Sequence, residues 1–91
     1  MSNDEKYQIK QKLIGRSYDY ASRFLSSHGI KYRILNVDRF HLKVTMDYKR
    51  DRVNLHLKTP VNFPEMADIS RVWNYIDQNS KPVIVSNVTF G

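Results

Sequence analysis

No cysteine occurs in the 91 residues, so neither a disulfide nor a thiolate zinc site, the usual staples of a small domain, can hold this chain together. The fold must stand on packing and hydrogen bonding alone. A chain of this length hides roughly 60–65% of its unfolded surface on folding, enough for one modest core, and a single domain is expected. Hydrophobic residues make up 41% and charged residues 26%, too apolar a balance for a disordered chain. The lack of cysteine suits a reducing compartment but does not exclude secretion. No apolar run approaches the roughly 18 residues needed to cross a bilayer, and no membrane partner is expected. Residues 1–16 alternate charged and apolar positions, unlike the apolar segment of a secretory leader. A cytoplasmic location is therefore the default expectation.

Periodicity divides the chain. Residues 1–12, MSNDEKYQIKQK, are polar and read as a flexible arm. Ser17 then stands where a helix cap should, Asp19 lies in the first turn, and Gly29 closes the segment. Between them Tyr18, Ala21, Leu25 and His28, with Phe24 beside them, form one apolar stripe and predict an amphipathic helix over 17–28. Ile30 to Val37 alternates as a half-buried strand. Arg39 to Lys43 reads as a connection, and Val44 to Asp51 has no clean period. A second strand follows, with Val53, Leu55 and Leu57 pointing one way and Arg52, Asn54, His56 and Lys58 the other. Pro64 is suited to the first turn of a further helix, whose apolar face would hold Met66, Ile69, Val72 or Trp73, and Ile76, ending near Asn79-Ser80. Trp73 is expected in the core. Pro82 to Phe90 is a β-branched strand in which Val83, Ile84 and Val85 define no single buried face. The expected order is α-β-loop-β-α-β, with an arm at 1–12, one domain over 13–91 and a helical insertion over 59–81.

Enzyme chemistry finds little footing. His28, His41 and His56 stand far apart, and none is near a second ligand at metal-binding spacing. They read as helix-end, loop and strand-surface histidines, and no metal is expected. Three glycines build no phosphate loop, and no serine sits in a nucleophile elbow. Asp47 and Asp51 lie beside Lys49, Arg50 and Arg52, which suits salt bridging better than acid–base work. No catalytic residues and no cofactor are expected. Fifteen Lys and Arg against nine acids give +6, a charge that draws polyanions. Lys31, Arg33, Arg39, Lys43, Lys49, Arg50 and Arg52 crowd the middle third among Tyr32, Phe40 and Tyr48. Asp38, Asp47 and Asp51 interrupt that cluster, however, and no nucleic-acid motif accompanies it. A nucleic-acid partner is the weaker expectation.

The most informative stretch is Val44-Thr45-Met46-Asp47-Tyr48-Lys49 and the residues after it. Met46 is apolar among Thr, Asp, Lys and Arg. Arg52 and Asn54, on the polar face of the following strand, are positioned to reach back and donate to Thr45 and Asp47, and an arginine–carboxylate contact is both charge-assisted and geometrically specific. Such struts would hold the segment extended, with Met46 outward.

Val44 to Leu55 resembles the reactive-site loop of the potato type I serine-protease inhibitors, the family of the eglins and the barley chymotrypsin inhibitor, which typically reads Val-Thr-x-Glu-Tyr-Arg-x-Asp-Arg-Val-Arg-Leu. Met46-Asp47 and Asn54 match its microbial members. Leu13-Ile14-Gly15-Arg16-Ser17, followed by Ala21 and Leu25, is similar to the family's helix entry, and Phe90-Gly91 to its terminal Val-Gly. The resemblance implies that Met46 enters the primary specificity pocket of a serine protease and that Met46–Asp47 is the bond presented. Val44, Thr45, Tyr48 and Lys49 would flank it, and Arg52 and Asn54 would support it. The implied partner is a protease of chymotrypsin, elastase or subtilisin type. The family's Trp-Pro ahead of the helix is replaced by Lys10-Gln11, which leaves Tyr7 or Ile9 to fill that part of the core. Tyr20 stands where a capping-box Glu would be. Residues 59–81 have no counterpart in the family's short turn. The expected fold is thus α+β: one main helix on a small mixed sheet, a long exposed loop centred on Met46, and an added helix near 65–79. A binding module that keeps this fold but uses its basic face or inserted helix for another protein or nucleic acid is the alternative.

Overall fold

The structure, a computed structural model, describes residues 1–42 and 50–91. Among them, three helices and a four-stranded mixed sheet form an α+β fold, in the order α1 (Asn3–Leu13), α2 (Tyr18–Ser27), β1 (Tyr32–Val37), β2 (Phe40–His41), β3 (Val53–Lys58), α3 (Ile69–Gln78) and β4 (Ile84–Phe90). The sheet order is β2-β1-β3-β4. The central pair β1 and β3 is parallel and both outer pairs are antiparallel. Parallel neighbours cannot be joined by a tight hairpin; after β1 the chain first turns at Asp38 into the short strand β2.

Helix α2 follows its punctuation. The Ser17 hydroxyl accepts from Tyr20 N–H at 3.1 Å, Ala21 and Leu25 are fully buried, and Gly29 takes φ +65°, a conformation that other residues adopt only with strain. The first twelve residues differ from expectation. They are not an arm: all but the first two lie in α1, whose Ile9 and Leu13 are buried in the common core. Two apolar residues four apart make a stripe too thin to stand out by periodicity. The local signal was the Ser-x-x-Glu signature of a helix start: Glu5 N–H donates to Ser2 Oγ, and the Ser2 hydroxyl donates to Glu5 Oε1, both at 3.2 Å. Ile9 fills the core, whereas Tyr7 remains 61% exposed.

Inward side chains of the sheet form rows. Ile34, Leu55 and Val88 make one, and Val37, Leu57 and Val85 the next. The inward residues of β1 and β4 are three apart, which simple alternation forbids. Each strand carries a bulge that restores the facing, at Leu35 in β1 and at Ser86 in β4. Ahead of the β4 bulge, Val83 and Val85 share the buried face that the sequence left unassigned, and Ile84 points outward, 38% exposed. Asp38, at φ +54°, turns β1 into β2. Its carboxylate accepts from Thr59 N–H at 2.7 Å, Thr59 Oγ1–H at 2.6 Å and Phe63 N–H at 2.7 Å, tying the turn to the loop after β3.

Helix α3 begins later than Pro64. Asp68 caps it by accepting from Ser70 N–H at 2.9 Å, while the Pro64 carbonyl is used in a turn with Ala67. Met66 lies before the helix and is 92% exposed, Val72 and Ile76 carry the buried face, and Trp73 is 38% exposed rather than in the core. Four residues separate Val72 from Ile76, so the helix turns Trp73 and Ile69 to the flank of the buried stripe. All three helices and the inward rows share one apolar core. No described helix is long and apolar enough to cross a membrane.

Candidate functional site

The segment singled out by sequence runs between two fixed ends. Leu42 is buried and its N–H donates to Leu35 C=O at 3.1 Å. Val53 is fully buried and its N–H donates to Lys31 C=O at 2.9 Å. Val44, Thr45, Met46, Asp47, Tyr48 and Lys49, all named above as the reactive segment, lie outside the described residues, as does Lys43. The two residues expected to support them are described.

Arg52 stands at the last position before β3. Its Nε and Nη2 donate to the Gly91 carbonyl oxygen at 3.3 and 3.1 Å, and Gly91 N–H donates to Arg52 C=O at 3.0 Å. The end of β4 thus grips the root of the segment from beside β3. Asn54 points to the sheet face opposite the apolar core, as alternation predicts, yet it is only 5% exposed. It is covered because Arg33, its direct partner across the β1–β3 pair, lays its guanidinium over it, with Nε donating to Asn54 Oδ1 at 2.7 Å. Arg33 Nη2 also reaches the Gly91 oxygen, at 3.4 Å.

The structure therefore joins Arg52 and Asn54, which the sequence singled out as supports, to Arg33 and Gly91, to which it gave no such role. Arg33 appeared only as one of a run of basic residues. No local pattern pairs position 33 with 54, because a parallel register is set by the crossover between the strands and not by a turn. Charged donors converging on a carbonyl and an amide oxygen make stronger hydrogen bonds than neutral ones, and three strands are tied together where they meet.

Other candidates fall into structural roles. Asp51 pairs with the Met1 amino group at 3.1 Å rather than with Arg50 or Arg52; Met1 and Asp51 line an open cleft of about 490 Å³ that Glu5, Lys31, Arg50 and Arg52 also border. Its mixed charge favours neither sign of ligand. His28 caps the end of α2, its Nδ1 2.8 Å from Phe24 O and its ring tilted against that of Phe24 with centroids 4.3 Å apart. His41 and His56 flank Asn36 in one row across the sheet's polar face. His56 Nε2 lies 3.1 Å from Thr89 Oγ1, and burial, with a smaller contribution from His41, holds its pKa below the ordinary histidine value. The described residues contain no cluster of three His, Cys, Asp or Glu that could hold a metal.

Comparison of the chain with models of protein families, with curated proteins and with solved structures finds no match.

Proposed function

We propose that this protein is a substrate-like inhibitor of a serine protease with an apolar specificity pocket, of chymotrypsin, elastase or subtilisin type, and that it presents Met46–Asp47 as the reactive bond. The reading is supported by the sequence from Val44 to Leu55. The observation that carries it is at the base of that segment: Arg52 is held by the Gly91 carbonyl, and Asn54 is held by Arg33. A support made of anchored side chains lowers the ordering entropy lost on docking, which is how a short exposed segment can bind tightly.

The chemistry follows from the same rigidity. Methionine is unbranched and adaptable, suited to an apolar pocket. The protease serine attacks the Met46 carbonyl, the Met46–Asp47 bond breaks, and the proton taken from the serine passes to the amine of Asp47. The amine is tethered through Arg52 and β3, so it stays at high effective concentration and re-forms the peptide bond. Hydrolysis is outrun. No cofactor is required.

An inhibition panel against chymotrypsin, elastase and subtilisin tests the proposal. The wild type should titrate at least one of them at near-stoichiometric ratio. Met46→Asp should abolish inhibition without changing the circular-dichroism spectrum, and Arg52→Ala should turn the inhibitor into a substrate cut within residues 43–49. Digestion or neglect of the wild type by all three enzymes overturns the reading. That outcome would point instead to a non-inhibitory binding module, which the exposed Ile69 and Trp73 on α3 favour. Retention on a polyanion that weakens steeply with salt would identify nucleic acid as its partner.

A further inference from the structure

Two arginines far apart in the chain converge on one acceptor. Arg33 on β1 and Arg52, just ahead of β3, both donate to the Gly91 oxygen, and Arg33 Nε donates to the oxygen of the buried Asn54 amide at 2.7 Å. A guanidinium has donors only, so this contact decides which end of the amide faces Arg33 and turns the amide nitrogen the other way. Asn54 brings no charge of its own to the polar face of β3. The position directly across from it on β1 brings one.

We propose that Arg33 is a positioning residue for the reactive segment: it orients Asn54 and shares Gly91 with Arg52, so the second guanidinium at the root of that segment is supplied by β1 instead of β3. This deepens the inhibitor reading and rests on it. Removing Arg33 leaves the oxygen of a buried amide without its charged donor and leaves Arg52 alone on Gly91. Residues directly opposite on neighbouring strands lie about 5 Å apart, so a guanidinium launched from position 54 can serve the same region.

The test is the rate at which subtilisin cuts within residues 43–49 of the full chain, with fragments identified by mass and each variant's unfolding midpoint measured alongside. Arg33→Ala should be cut about tenfold faster than wild type or more, the equivalent of one charge-assisted hydrogen bond. Arg33→Asn combined with Asn54→Arg, which moves the guanidinium across the strand pair, should return the rate towards the wild-type value. A purely structural role for Arg33 would track the unfolding midpoint and would not be rescued at the cut site. If Arg33→Ala does not fold, Arg33→Lys carries the comparison, since it keeps the charge but loses the planar fork. Wild-type rates for Arg33→Ala, or a swap as vulnerable as the single variant, overturn the proposal. A wild type that inhibits no protease overturns the inhibitor reading alone, because the ratio of cutting rates still reports on Arg33.

Discussion

At the scale of single residues, polar groups in this chain work in shared sets. Asp38 satisfies three donors from one loop, and Gly91 accepts from two arginines. Tyr18 shows the electrostatic cost of joining such a set. Burial, the neighbouring Tyr32 and the charge of Asp77 together push its pKa from 10.0 up to about 12. In the unfolded chain the phenol ionises near its ordinary value, so between about pH 10 and 12 the unfolded state binds fewer protons than the folded one and stability falls as pH rises. An ultraviolet titration should show one tyrosine ionising well after the exposed ones. Tyr18→Phe should remove part of the alkaline loss of stability, measured by urea unfolding at pH 9 and pH 11. The tyrosine was legible as part of a helical stripe, but its burial beside Tyr32 was not, because the two rings come from different elements.

At the scale of elements, the edge strand β4 must be protected from pairing with other chains, since an open edge is a template for association. Gly91 N–H donates to Arg52 C=O at the end of the β3–β4 pair. Bonded pairs alternate in an antiparallel ladder, so the peptide groups of Val88 and Val85 point away from β3. Val85 gives its N–H to Arg16 C=O and accepts from Gly15 N–H, both at 2.8 Å. Val88 N–H is taken by the side chain of its own neighbour, Asn87 Oδ1, at 2.9 Å. Asn87→Val should uncover that donor and raise the β propensity of the edge, producing a concentration-dependent dimer in sedimentation velocity while the far-ultraviolet spectrum stays native. Strands β1, β3 and β4 were readable from β-branched and alternating residues. The two bulges were not, because an extra residue shows only against its partner strand. The start of α3 was misplaced because Pro64 suits a first helical turn, whereas the cap that forms is Asp68, which accepts from Ser70 N–H.

At the scale of the whole molecule, α1 is the piece whose role changed most between sequence and structure. Its Ile9 and Leu13 enter the same core as Leu25, Leu55 and Ile76, so the first residues contribute to the stability of the entire domain. Leu13 is fully buried, and Leu13→Ala should cost about 2–5 kcal/mol, read from the urea midpoint. Because one core is shared, circular dichroism and the fluorescence of Trp73 on the distant α3 should report the same shifted transition. Two separated transitions would show that α1 docks independently. Hydrophobic spacing and capping chemistry settled the α+β class, helix α2 and the positions of β1, β3 and β4, since such preferences act over a few neighbouring residues. Residues far apart in the chain were brought together by packing alone: the parallel register that sets Arg33 against Asn54, the return of Gly91 to Arg52, and the burial of α1. None of these has a local signature, because each depends on which distant surfaces exclude water together.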